Sequence, residues 1–255
     1  MCKATHYLIK KFTWLVIFFG LFSLQVDANQ ATNDFFRANE AYLQGEYLQA
    51  INQYETLLAS GMQSADIYFN LANAYFRLNQ LGKAIFYYRL AQRLSPRDAD
   101  IGFNLNYALT QRVDKIENEA HVSFWQAVLP TLSQREMHYL LLTTLLAFTF
   151  FACMTLFISR QWLITIRQIS LLLMVLSFSV WALAQFNQQA FGVIIVEEAN
   201  IYSGQGKDTV ALFSLREGSD FIVEAETDND WLGIRLADGK KGWVQKASVL
   251  YEIND

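Results

Sequence analysis

Asparagine side chains recur among aromatic residues in the N-terminal half of this 255-residue chain. Asn39 and Asn73 lie 34 residues apart, and Asn70 is three positions before the second of them. An amide side chain donates and accepts hydrogen bonds, so it can bind a peptide backbone whatever the side chains beside it. Arg77 can add a charge-assisted bond to an acidic group. The pattern indicates a recognition site; the alternative is that these asparagines bond to neighbouring helix ends.

Residue types that serve catalysis or metal binding are few. His121 and His138 lie beyond the first apolar segment, and Cys153 lies within a later one. No Cys–His or His–Glu spacing suits zinc, and the chain has no Gly-rich phosphate loop and no Gly-x-Ser-x-Gly motif. Acidic pairs such as Glu197 and Glu198 are typical of solvated loops. We therefore expect no enzyme activity, no cofactor and no metal.

The composition indicates membrane segments, because 53% of the residues are hydrophobic. The first apolar run follows Lys10 and Lys11 and ends shortly before the small residue Ala28. A basic start, a short apolar core and a small residue predict a secretory signal peptide over residues 1–28. The alternative is an uncleaved anchor, and either one implies export of the chain that follows. The net charge of −4 makes nucleic acid a poor partner.

Two longer apolar runs, residues 137–158 and 169–186, predict transmembrane helices, since about 20 apolar residues cross a bilayer. Neither run contains a charged residue, which favours anchoring over transport. The connecting residues 159–168 carry Arg160 and Arg167 and no acid, so the positive-inside rule predicts a cytoplasmic loop. Both flanking domains then lie on the exported side of the membrane. We expect that membrane to be the inner membrane of a bacterium, with both domains in the periplasm.

The segment before the first of these helices, residues 118–136, predicts an interfacial linker. Phe124 and Trp125 are aromatic residues of the kind that prefer the membrane surface. The sequence from Ser133 to Glu136 predicts a capping box that opens the helix.

Residues 31–64 and 65–98 are two copies of one pattern with a period of 34 residues. Ala50 matches Ala84, and Tyr54 matches Tyr88. The second copy resembles the tetratricopeptide repeat at Tyr68, Leu71, Ala72, Tyr75, Ala84, Tyr88, Ala91 and Pro96. The resemblance implies paired antiparallel helices over residues 29–117, closed by a capping helix at residues 99–115.

Tetratricopeptide proteins bind extended peptides in a concave groove, and the resemblance places that groove on this chain by repeat position. The implied groove residues are Phe35, Asn39, Tyr42, Phe69, Asn70, Asn73, Phe76, Arg77, Phe103 and Tyr107. Some members of the family also hold a C-terminal carboxylate between asparagines and basic residues. The basic positions of that clamp correspond here to Phe35, Asp100 and Asn104, so we do not expect carboxylate capture.

Residues 191–255 change to short strands. "REGSDFIVE" and "DWLGIRLADGKKGWV" resemble a bacterial SH3 domain, with a hairpin turn at Asp238–Gly239. The resemblance makes Trp231 the groove tryptophan, whereas Trp243 serves either the same surface or packing. Gln245 replaces the usual groove proline, so we do not expect proline-rich ligands, and another protein partner or the cell wall stays open.

The order of parts predicts a multidomain membrane protein: an all-α tetratricopeptide repeat array, a two-helix transmembrane hairpin and an all-β SH3-like barrel. This order resembles the BatE family of the Bat aerotolerance operons. The resemblance implies a non-enzymatic adaptor that works beside von Willebrand A-domain Bat proteins and a MoxR-type ATPase. The alternative is a peptidoglycan-binding or amidase-regulating protein that acts through the SH3-like domain.

Overall fold

The computed structural model describes residues 32–114, 132–158, 160–186, 188–206, 209–227 and 229–252. The chain divides into two units, residues 1–63 and residues 64–255. The predicted signal peptide lies outside the described residues. So does most of the predicted interfacial linker, with Phe124 and Trp125, and the last residue of the predicted capping helix.

The first unit contains helix α1 (residues 32–43) and helix α2 (Tyr47–Ala59). The chain turns between them at Gly45, whose φ of 82° lies in the left-handed region that glycine adopts without steric cost. Gly61, just after the end of α2, also has a left-handed φ, of 87°. The buried apolar residues described in this unit are Ala38, Ala41, Ala50, Ile51, Tyr54 and Leu57.

The second unit begins with helices α3 (Ala65–Arg77), α4 (Leu81–Leu94) and α5 (Ala99–Thr110). Ser64 caps α3 by accepting a hydrogen bond from the backbone of Ile67, and Asp98 caps α5 similarly. Helices α3 and α4 pack against each other, and α5 packs on α4. Fully buried small residues let these helices approach closely: Ala72, Ala74, Ala84, Ala91 and Ala108.

Helices α6 (Gln134–Phe157) and α7 (Gln161–Phe186) are long and apolar enough to cross a membrane, judged by length and composition. Ser133 and Glu136 form the predicted capping box at the start of α6. The two helices pack side by side, and the hydroxyls of Thr144 and Ser177 hydrogen-bond at 2.8 Å.

The connection between α6 and α7 is shorter than the predicted loop of residues 159–168. Helix α7 begins at Gln161, and Arg167 lies within it and donates to the Thr155 hydroxyl at 3.3 Å. The predicted bounds follow the uncharged run, and the place of residues 161–168 relative to a membrane stays a prediction. A helix needs no such run, and the segment from Gln161 to Gln168 contains no glycine or proline that would break one.

Seven strands follow: β1 (Phe191–Ile194), β2 (Glu198–Tyr202), β3 (Ala211–Arg216), β4 (Asp220–Glu226), β5 (Trp231–Arg235), β6 (Lys241–Gln245) and β7 (Val249–Glu252). They form one antiparallel sheet in the order β3–β2–β6–β5–β4–β1–β7. Its buried core contains Ile194, Ile201, Leu215, Phe221, Leu232, Ile234 and Val244.

The predicted SH3-like barrel is not confirmed, because the sheet is open. Within the described strands, β3 and β7 are the edges and no pairing joins them. The predicted hairpin between β5 and β6 is present, with a tight turn in which Leu236 donates to Lys240 and Gly239 has a φ of 86°. Alternation of apolar residues specifies strands and hairpins, but closure depends on pairing between strands distant in sequence.

Helix α4 packs against β1 and β7 of the sheet. The rings of Phe86 and Phe191 meet at 5.5 Å, and the backbone N–H of Gly82 donates to the Glu217 carboxylate at 2.9 Å. The approach is close enough that a Cβ on Gly82 would lie 2.2 Å from the carbonyl oxygen of Ile194. Helix α4 therefore joins the helices to the sheet, although the sequence had placed residues 29–117 and 191–255 in separate domains.

Candidate peptide-binding surface

Helices α3 and α5 present neighbouring side chains in the second unit. Phe76 of α3 and Tyr107 of α5 have ring centroids 5.8 Å apart, and the Asn104 amide donates to the Asn73 oxygen at 3.1 Å. Arg77, which follows Phe76, is exposed. We call the set of Asn73, Phe76, Arg77, Phe103 and Tyr107 the α3–α5 surface.

Two aromatic side chains of the α3–α5 surface are unusually open to solvent. Phe103 is 72% exposed and Tyr107 is 52% exposed, whereas the opposite side of α5 buries Ile101 and Leu105. Exposed apolar groups that cluster beside polar ones are typical of interaction sites. Arg77 of α3 adds an exposed cation to this set. The surface therefore suits an extended segment with apolar and acidic side chains.

Asn73 takes part in the packing of the helices. Its amide oxygen accepts hydrogen bonds from the Tyr88 hydroxyl of α4 and from the Asn104 amide of α5. A carbonyl oxygen has two lone pairs, and both are engaged by these donors. Asn73 therefore has only N–H donors to offer a ligand, so the packing interpretation holds for its oxygen.

The first unit repeats this arrangement internally. The Asn39 oxygen accepts from the Tyr54 hydroxyl at 2.5 Å, and the rings of Phe35 and Tyr54 lie 6.2 Å apart. Tyr42 packs edge-on against Tyr47. All three predicted groove residues of this unit are thus half-buried and in contact with the helix pair.

Phe69 and Asn70, the remaining predicted groove residues, are both half-buried on α3. The Phe69 ring lies 5.9 Å from that of Tyr88, so it contributes to the contact between α3 and α4. Peptide binding at any of the ten residues stays a prediction.

The bond between Asn104 and Asn73 was not predicted from the sequence, where Asn104 was considered only as a clamp position that lacks a basic residue. The 31-residue separation of the two, which differs from the 34-residue period, hid the pairing.

Trp231 of the sheet lines a shallow cleft of about 480 Å³ with Gln205, Gly206, Asn229 and Asp230. Its ring packs edge-on against Tyr202 at 5.3 Å. Trp243 differs, since its ring would lie 3.3 Å from a Cβ placed on Gly233. Trp243 thus covers the backbone of β5 and packs, whereas Trp231 borders open space.

Charged groups on the sheet pair with one another. The hydrogen bond from Lys246 lowers the pKa of Glu226, and the bond from Lys241 lowers the pKa of Glu224. Ordinary surface ion pairs account for both shifts. Among the described residues, no group of three or more His, Cys, Asp or Glu side chains could hold a metal ion.

Two tetratricopeptide family models match the helical part of the chain. The one described as "Tetratricopeptide repeat" matches residues 65–98, and the one described as "TPR repeat" matches residues 38–79. The first match confirms the predicted second repeat, and tetratricopeptide repeats are present in this chain. No curated protein matches the chain.

Proposed function

We propose that this protein is a non-enzymatic scaffold, anchored in a membrane by α6 and α7, that binds an extended segment of a partner protein on the α3–α5 surface. The observation that carries the proposal is the pair of exposed rings on α5, Phe103 and Tyr107, next to a tetratricopeptide repeat at residues 65–98 whose helix α3 carries the exposed Arg77. Tetratricopeptide repeats imply protein partners in general. A ligand here gains apolar contact from the rings and a charge-assisted bond from the guanidinium.

The proposal extends to the cellular setting. We place α6 and α7 in a bacterial inner membrane with both flanking modules in the periplasm. Arg160 in the connection and Arg167 near the start of α7 support that orientation. The contact between Arg89 of α4 and Asp220 of β4 also supports it, since the two modules must share one side of the membrane. The order of parts alone supports a role in a Bat-type complex, beside von Willebrand A-domain proteins and a MoxR-type ATPase.

A second candidate function uses the sheet, which we propose to be a divergent SH3-like module. The cleft beside Trp231 favours it, because an aromatic wall next to amide and carboxylate groups suits a polar ligand such as peptidoglycan. In this case the protein binds the cell wall or regulates an amidase there.

One comparison in the full-length, detergent-solubilised chain tests both candidates. Wild type, Arg77→Ala with Phe103→Ala, and Trp231→Ala are each assayed for recovery of partner proteins from membranes and for sedimentation with purified peptidoglycan. Phe36→Ala is the matched control, since Phe36 is 62% exposed and outside the predicted groove.

The scaffold proposal expects the double variant alone to lose the proteins that wild type recovers, with unchanged helical content. Equal recovery with the folded double variant excludes the α3–α5 surface. Loss of sedimentation only in Trp231→Ala supports the second candidate, and the absence of sedimentation in wild type excludes it.

A further inference from the structure

Helix α5 carries Phe103 and Tyr107, yet among the described helices only α4 packs extensively against it. It is a 12-residue helix that packs mainly on α4 and buries only Ile101, Leu105 and Ala108. Isolated helices of this length are marginal in water, so the position of α5 depends on what holds its ends. Asp98 caps its N-terminal end.

The chain just after α5 is bound to the sheet through Asp220, the first residue of β4. Arg112 donates to the Asp220 carboxylate at 2.6 Å, and the Arg112 side chain is only 12% exposed. Arg89 of α4 donates to the other oxygen of the same carboxylate. One carboxylate thus ties the end of α5 to the helix on which α5 packs.

A second contact lies two residues further along the chain. The Asp114 carboxylate accepts from the backbone N–H of Arg216 at 2.7 Å and from the Ser219 hydroxyl at 3.2 Å. Ser219 is fully buried in the turn between β3 and β4. Arg112 and Asp114 therefore contact the same short stretch of the sheet, from Arg216 to Asp220, with opposite charges. We call these contacts the α5 lock.

We propose that the α5 lock makes the sheet a positioning element of the α3–α5 surface, so that the sheet acts as part of the binding site of the helices. The proposal rests on the function proposed above for that surface. Because Tyr107 lies in the last turns of α5, close before Arg112, fixing the chain at Arg112 and Asp114 also fixes Tyr107, and with it the ring contact to Phe76. Without the lock, α5 frays and one side of the surface is lost.

Complementary charge sets this arrangement apart from chance contact between tethered domains. The guanidinium groups of Arg89 and Arg112 both donate to the Asp220 carboxylate. The Asp114 carboxylate, just after α5, accepts hydrogen bonds from the Arg216 backbone and the Ser219 hydroxyl. Charge-assisted bonds of this kind fix geometry, because both partners must be placed correctly to form them. Partial shielding from solvent also makes the pairs less sensitive to screening than exposed ones.

Hydrogen exchange of the full-length chain in detergent tests the lock. In Asp220→Asn, we expect the amides of residues 99–110 to exchange at least about tenfold faster than in wild type, while β5 and β6 keep their protection. Glu224→Gln is the matched control, since Glu224 lies on the same strand but pairs with Arg235 and Lys241 of the sheet.

Unchanged exchange in α5 of Asp220→Asn overturns the proposal. If hydrogen exchange in the sheet also becomes faster in Asp220→Asn, the same measurement is made on Asp114→Asn. Faster exchange in α5 of Asp114→Asn with a protected sheet supports the lock, and unchanged exchange in α5 contradicts it. These readouts need no partner protein. Failure of the lock is therefore distinguishable from failure of the binding surface, which the recovery experiment measures.

Discussion

The hydroxyl of Tyr88 donates a hydrogen bond to the amide oxygen of Asn73, 15 residues before it in the chain. Tyr54 and Asn39 make the same bond with the same separation, 34 residues earlier. Each bond joins the two helices of one pair. The regular spacing of asparagines that first indicated a ligand site is therefore explained, for their oxygens, by a bond that recurs with the repeat.

Replacing Tyr88 with Phe removes this donor while keeping the buried ring. We expect the free energy of unfolding to fall by about 0.5–1.5 kcal/mol, the usual net contribution of a hydrogen bond, because Asn104 still satisfies part of the Asn73 oxygen. Chemical denaturation followed by circular dichroism measures the change. The matched control is Tyr107→Phe, where the hydroxyl is on an exposed ring and the cost should be near zero. An equal cost in both variants would contradict the assignment.

Gly82→Ala tests how closely α4 approaches the sheet. An added Cβ would lie 2.2 Å from the Ile194 carbonyl oxygen, so the helix must shift, and we expect a loss of about 1–3 kcal/mol. Thermal unfolding of the full chain and hydrogen exchange in β1 measure it.

Gly102→Ala is the matched control for this change, because nothing lies within 4 Å of a Cβ added there in α5. The intrinsic preference of helices for alanine should then stabilise the protein by about 0.5–1 kcal/mol. The same sign for both glycines would show that the docking of α4 on β1 is wrong.

Glu252 of β7 provides a test by pH. Burial beside α4 raises the pKa of Glu252 above its usual value of 4.5, and the neighbouring Arg93 opposes the shift. A raised pKa in the folded state means that the stability contributed by this group is present below pH 4.5 and is lost as the pH rises through the raised value. Glu252→Gln should therefore gain stability relative to wild type as the pH rises from 4 to 7.

Glu224→Gln should show the opposite trend in the same titration. The hydrogen bond from Lys241 lowers the pKa of Glu224, so its contribution is present at neutral pH and is lost as the pH falls. The difference in unfolding free energy between each variant and wild type, measured at several pH values, gives both slopes. Parallel slopes would mean that the pair with Arg93 outweighs the burial of Glu252.

Reporter fusions test the proposed orientation in the membrane. A reporter that works only in the periplasm should be active when fused after Asp255 and inactive when fused at Trp162, because the cationic residues Arg160 and Arg167 favour the cytoplasmic side. Activity at Trp162 with none at Asp255 would reverse the orientation.

The repeat could be predicted from the sequence because its physical signals are local. The helix pair α3–α4 follows from apolar residues at helical spacing with a 34-residue period, and Ser64 and Ser133 mark helix starts through their caps. The hairpin between β5 and β6 follows from its Asp–Gly turn. Each of these features is decided by residues within one or two helical turns or one hairpin.

The docking of the sheet on α4 could not be predicted in this way. Arg89 and Asp220 are 131 residues apart, and no periodic pattern links them. A charged residue on a surface helix is usually solvated, so Arg89 and Arg93 gave no signal of a partner. The same limit applies to the open sheet and to the asparagines, whose bonding partners are set by packing between helices.

Helices α6 and α7 lie in the chain between Arg89 and Asp220, and this order limits how many times the chain between the two residues can cross a membrane. Side chains that touch must be on the same side of any bilayer, so the chain between them has to cross it an even number of times. In the proposed topology, removing α7 alone would place a membrane between the two residues, whereas removing both helices would leave them able to meet. The same topology predicts that, during synthesis, the docked state becomes reachable only once the second crossing is complete.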